Sequence, residues 1–261
     1  MCNLLLALRA ELIKFKHSKV FLISAIAFAL VPVMSGVFML VMRHSAAAAK
    51  ASLLSAKMEM MSVSADWDAL FMILTQGMGV GGIMVFGFTA SWIFGREYSD
   101  STVKDLLSLP TSRATILNAK YIACFLWSIA LAIVNVGLGV AIGLLLQLPG
   151  FDGEHAFACL RGYFSTTFLT LLLGTPVAFL AIWGKGYLSP LAFVALTLVF
   201  SQIIAAVGYG QYFPWAVPAL HSGIGGEQPP LNNLSYLTVA AVAVAGYYAS
   251  IFYWKHTDYQ K

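Results

Sequence analysis

Apolar positions in this chain gather into six long blocks: Val20–Met42, Ala69–Phe94, Ile116–Leu146, Ala158–Trp183, Leu188–Val207 and Leu234–Trp254. Each holds the roughly 20 residues that a helix needs to cross a bilayer core of about 30 Å. Almost no charge lies inside them, and Lys120 and Arg161 sit close to block ends. A charge at mid-membrane costs about 2.5–3.5 kcal/mol on insertion scales, so the vacancy supports true spans. The pattern predicts an all-α polytopic membrane protein, a single transmembrane domain over 1–261 with six spans.

The stretches between the blocks are of several kinds. Residues 1–19 form an amphipathic segment, with Leu5, Leu8, Leu12, Ile13 and Phe15 on one face and Lys14, Lys16 and Lys19 supplying charge. This predicts an interfacial helix, either an anchor or a partner-docking element. The turn "WGKGYLSP" is tight, as a helical hairpin requires. The connection 208–233 is long, aromatic, rich in Gly and Pro and poor in charge, so it is expected to be re-entrant or partly buried. His221 within it stands alone at metal-ligand spacing, and no metal site is expected. Gly77 with Gly81, and Gly139 with Gly143, have the spacing that lets helices approach closely.

Composition agrees: 60% of the 261 residues are hydrophobic and 10% charged. Eleven Lys and Arg fall on the side of both termini, 94–120 and 184–187, against Arg43, Lys50, Lys57 and Arg161 on the other. That bias predicts that both termini are cytoplasmic and accounts for the net charge of +4, without invoking nucleic acid. The first block is too long for a signal-peptide core and reads as a first span. Cys2, Cys124 and Cys159 lie at different depths and suggest neither disulfides nor a metal site.

Against this background "FGREYSDSTVKDLLSLPTSRATILNAKYI", residues 94–122, holds seven of the 26 Lys, Arg, Asp and Glu residues. Arg96, Glu97 and Tyr98 mark an exit from the membrane. A short amphipathic helix is expected over about 97–109, capped by Ser99 or Asp100. Asp100 and Lys104 would pair at i,i+4, and Val103, Leu106 and Leu107 would form its apolar stripe. Pro110 would stop it, and Thr111 or Ser112 would cap the next helix. The third block, continuous from about Thr111 to Gln147, is about 55 Å long, so its first turns with Arg113 and Lys120 must leave the core. This polar elbow is either an interfacial foot or a lever through which a cytoplasmic partner moves two spans.

The segment resembles the polar stretch after the second span in small six-helix permeases of the ABC (ATP-binding cassette) type-2 superfamily, and more specifically those of bacitracin and lantibiotic immunity or export. The resemblance rests on Arg96, Glu97, Tyr98, Thr102, Leu106, Leu107, Pro110, Arg113 and Lys120. It implies a coupling helix at 97–109 seated on a separate ATPase, with Asp100 and Lys104 in the same contact. It also implies two ATPase subunits holding ATP and Mg, and two permease subunits as a homodimer or heterodimer. This chain has no "GxxxxGK[ST]" and no expected cofactor of its own.

Three functions compete. A permease would move or extract an amphiphilic peptide or lipid-like compound by alternating access. Gln76, Asn135, Ser201 and Gln202 are its candidate pathway residues, each also explicable as a bridge between helices. An intramembrane hydrolase would need activated groups, yet "HExxH" and "GxSG" are absent and no catalytic residue is assigned. A scaffold or sensor could share the architecture and would differ in failing to alter a partner's ATP turnover.

Overall fold

Each apolar block becomes a helix, and most helices outrun their block because polar residues cap them. The computed structural model describes residues 2–16, 18–48, 65–108, 110–224 and 231–257. In chain order these form α1 (Cys2–Lys16), α2 (Lys19–Ala48), α3 (Trp67–Ser99), α4 (Val103–Leu107), α5 (Arg113–Leu145), α6 (Gly153–Leu172), α7 (Gly174–Trp183), α8 (Leu188–Ala206), a 3-10 turn (Gly210–Tyr212), α9 (Val217–His221) and α10 (Asn233–His256). Asp66, Ser112, Asp152 and Asn232 cap α3, α5, α6 and α10, their side-chain oxygens accepting from backbone N–H groups three residues on. Among the described residues six stretches are long and apolar enough to cross a membrane, α6 and α7 together forming one of them. The protein is therefore a multi-pass membrane protein.

The fourth block holds two helices because Pro176 has no N–H to bond Leu172 O. Thr175 Oγ1 stands in at 3.1 Å from that carbonyl and 2.8 Å from Ala243 O on α10. At the centre of the bundle α3 packs on α2, α5, α6, α7 and α8. Many large apolar side chains face outward, among them Leu22, Ile26 and Leu30 on α2 and Leu196, Val199 and Phe200 on α8. Lipid is the solvent that makes such an exterior favourable.

Glycines set two of the closest approaches. A Cβ at Gly77 would lie 2.5 Å from Val31, whereas Gly81 faces open space, so only the first of that expected pair joins helices. Gly139 and Gly143 both abut α3, the first against Leu74 and the second 2.7 Å from Trp67. In the outer connection Val217, Pro218 and Ala219 are buried where α9 packs on α3 and α6. Residues 225–230, like most of the 43–68 connection, lie outside the described residues.

His221 does not stand alone. Its Nε2 lies 2.8 Å from Ser165 Oγ on α6 and its Nδ1 3.0 Å from Tyr236 OH on α10. Ser165 Oγ also lies 2.8 Å from Gly162 O of its own helix, so both ring nitrogens of His221 have partners on neighbouring helices. This arrangement pins α9 to two spans.

Candidate functional site

The second span's helix does not stop at the membrane exit. It continues through Glu97–Ser99, and Asp100 closes it, its N–H reaching Arg96 O at 2.8 Å. Ser101 then takes a left-handed φ of 58°, uncommon outside glycine, and turns the chain. The short helix is thus α4, Val103–Leu107, in place of the expected 97–109. Neither expected cap forms there: Ser99 lies within α3, and Asp100 ends that helix and pairs with Arg96 Nε at 3.1 Å. The side chains of Lys104 and Leu107, and residue 109, lie outside the described residues. Val103 is buried and Leu106 half-buried against a cluster holding Phe15, Phe94, Leu117 and Trp254, so these two residues of the stripe rest on protein. Ser112 is the cap of α5, accepting from Thr115 N at 3.1 Å, while Pro110 is exposed.

Three fastenings hold the elbow. The first is a buried ion cluster. Lys120 Nζ on α5 lies 2.6 Å from Glu97 Oε1 on α3, 3.4 Å from Glu11 on α1 and 3.0 Å from Ile93 O. Lys14 Nζ adds contacts of 2.8 Å to Glu11 and 3.0 Å to Glu97. Lys120 is 2% exposed, Glu97 5% and Glu11 6%. Two ammonium groups and two carboxylates make the cluster neutral, the condition under which buried charge is tolerated. Burial opposes the Lys14 charge, but Glu11 and Glu97 outweigh it and raise its pKa above the ordinary lysine value.

The second fastening is Arg113, whose Nη1 donates to the carbonyls of Trp254, Lys255 and Thr257 at 3.1–3.3 Å. A cation in the first turn of α5 opposes that helix's own dipole, yet it sits at the C-terminal carbonyls of α10, where a cation is favourable. Tyr98 strengthens the link by meeting Trp254 edge-on at 6.0 Å. The third is Gly95, where a Cβ would lie 2.7 Å from the backbone of Gly186 in the α7–α8 turn. One end of the bundle therefore gathers α1, the elbow, the α7–α8 turn and the end of α10 around a neutral polar core. The elbow's outward side carries Asp100, Ser101, Thr102, Asp105 and Ser108, all exposed.

Of the sequence-derived residues, Glu97 and Arg113 thus anchor the elbow from within, and Asp100 and Thr102 lie on its surface. Glu11 and Lys14 were missed. The available signal was Lys120 itself, because an ammonium group inside an apolar block requires a carboxylate near it.

The four intramembrane polar residues are distributed differently. Asn135 is buried, donating to Phe28 O on α2 at 2.7 Å and accepting from Tyr163 OH on α6 at 3.0 Å. It bridges three helices. Ser201 is buried and donates to Leu198 O of its own helix at 2.7 Å. Gln76 is half-buried, and Gln202 is exposed beside Ile203 on the lipid-facing side of α8. Asn135→Leu is expected to cost about 0.6–1.7 kcal/mol, the range for hydrogen bonds between membrane helices. Thermal unfolding in detergent measures it, and a wild-type midpoint would remove the bridge from the account.

Comparison with known proteins agrees with this architecture. Residues 7–203 match the family described as ABC-2 family transporter protein. Over 179 residues the chain is 30% identical to the bacitracin transport permease protein BCRB of Bacillus licheniformis, covering 68% of this chain and 85% of that protein. The chain belongs to the ABC-2 family of transporter proteins, as a membrane-spanning permease subunit.

Proposed function

We propose that the elbow, residues 100–112, is the docking point for a separate ATPase, and that the chain couples ATP hydrolysis elsewhere to movement of its spans. The carrying observation is that α3 and α5, the helices on either side of the elbow, are tied to each other and to α1 and α10 through Glu97, Lys120, Glu11, Lys14 and Arg113. A push on α4 then reaches four helices as rigid bodies instead of dissipating in a loop. In this reading both termini and the elbow face the cytoplasm, in line with the Lys and Arg bias. Two ATPase subunits, holding ATP and Mg, serve two permease subunits, either identical or different.

The cargo is an amphiphilic peptide antibiotic or a lipid-like compound, exported or extracted by alternating access. The apolar spans favour such a cargo over ions, and the similar protein from Bacillus licheniformis is described as a bacitracin transport permease. The docking surface is acidic and polar, formed by Asp100, Thr102 and Asp105, with Glu97 serving as an internal anchor.

Co-expression with an ATPase encoded beside the chain tests this. Asp100→Lys combined with Asp105→Lys leaves every buried fastening in place and is expected to abolish co-purification while the permease still folds. Undiminished co-purification of the double variant would remove the elbow from the interface. A wild-type chain that binds no ATPase would favour a scaffold or sensor.

A further inference from the structure

Between α2 and α8 lies a crevice of about 440 Å³ whose floor is α3. Ile23, Ala27, Met84, Phe88, Leu191 and Ala195 line it, and its surface is almost wholly apolar. Its volume falls within the roughly 300–1,000 Å³ of small-molecule sites. The crevice belongs to the elbow-side half of the membrane. Ile23 is one turn from the start of α2, about 6 Å, and Leu191 lies in the first turn of α8. Met84 and Ile23 remain exposed, so the crevice opens sideways onto lipid.

The stripe of α3 that floors this crevice leads to a cation. Phe88, Trp92 and Arg96 follow at intervals of four residues, on one face of the helix. The Arg96 guanidinium lies over the Trp92 ring at 5.0 Å, about 12 Å along the axis from Phe88. Its Nε is held by Asp100 at 3.1 Å, but its Nη1 is buried with no hydrogen-bond partner among the described residues. A buried donor without an acceptor is costly, and a group absent from the protein itself would satisfy it. Lys19 and Lys185 are exposed at the same end, at the starts of α2 and α8, and Asp100 and Asp105 are the acidic groups of the neighbouring elbow.

We propose that this crevice is a binding site for an anionic lipid of the elbow-side leaflet. One acyl chain fills the space between α2 and α8 on the floor of α3, and the headgroup phosphate accepts from Arg96, with Lys19 and Lys185 adding attraction. An apolar slot alone would take any acyl chain, so the guanidinium supplies the headgroup preference. The site is independent of whether an ATPase docks, and it ties the elbow's arginine to the surrounding membrane.

Native mass spectrometry of the purified full chain, offered equal amounts of phosphatidylglycerol and phosphatidylcholine, tests the assignment. Wild type is expected to retain phosphatidylglycerol preferentially. Arg96→Gln is expected to lower that retention about fivefold, the effect of one basic group at an anionic lipid surface, and Arg96→Lys to restore much of it. Ala195→Trp, which fills the slot without touching Arg96, is expected to reduce retention of both lipids. Equal retention of the two lipids by wild type, or retention unaltered in Ala195→Trp, would overturn the proposal. So would a loss of self-association in Ala195→Trp with lipid retention intact, since a second copy of the chain would then be the occupant.

Discussion

Replacing Lys120 with methionine is expected to destabilise the folded protein by about 3–5 kcal/mol, the cost of breaking a buried ion pair from one side. Lys120 is 2% exposed, and its ammonium group meets Glu97, Glu11 and the carbonyl of Ile93. Methionine fills a similar volume, so packing changes little and the loss is electrostatic. Two carboxylates would then share Lys14 alone, and the cluster would carry a net negative charge. Adding Glu97→Gln returns it to neutrality, leaving Glu11 paired with Lys14 at 2.8 Å. The double variant should therefore be more stable than Lys120→Met alone. A double-mutant cycle on thermal unfolding in detergent measures the coupling. Additive effects would mean that the two charges do not meet.

Replacing Arg113 with glutamine should free the end of α10 from the elbow. One charged donor serves three carbonyls, those of Trp254, Lys255 and Thr257. Hydrogen bonds to charged groups contribute about 1.5–3 kcal/mol each, and α10 also loses the cation at its negative pole. Amide exchange near residues 254–257 is expected to quicken at least roughly tenfold, following the conversion of 1.4 kcal/mol to a factor of ten. Exchange around Glu97 and Lys120 should stay slow, because that cluster does not include Arg113. Unchanged exchange at the end of α10 would show that Arg113 does not hold it.

Much of the fold is legible in the sequence because the bilayer imposes a simple rule on length and charge. Leu188–Val207 and Leu234–Trp254 match α8 and α10 to within two residues at each end. The discrepancies have local causes. Polar caps carry α3 and α6 beyond their apolar blocks, and Pro176 divides the fourth block in two. The elbow is visible as a concentration of charge, but its internal geometry is not. The expected helix over 97–109 includes Glu97 in the segment that the resemblance seats on an ATPase. The actual position of Glu97 is set by Lys14, 83 residues earlier, and Lys120, 23 residues later. No local periodicity encodes such contacts. The same holds for His221, whose partners Ser165 and Tyr236 come from two other helices.

The proposed role of the elbow is to transmit force between an ATPase and the spans. ATP turnover by the assembled complex, compared with that of the ATPase alone, tests it most directly. Wild-type permease is expected to alter turnover, and Asp100→Lys with Asp105→Lys to return it to the level of the ATPase alone while the permease remains folded. Turnover that responds equally to wild type and double variant would contradict that role.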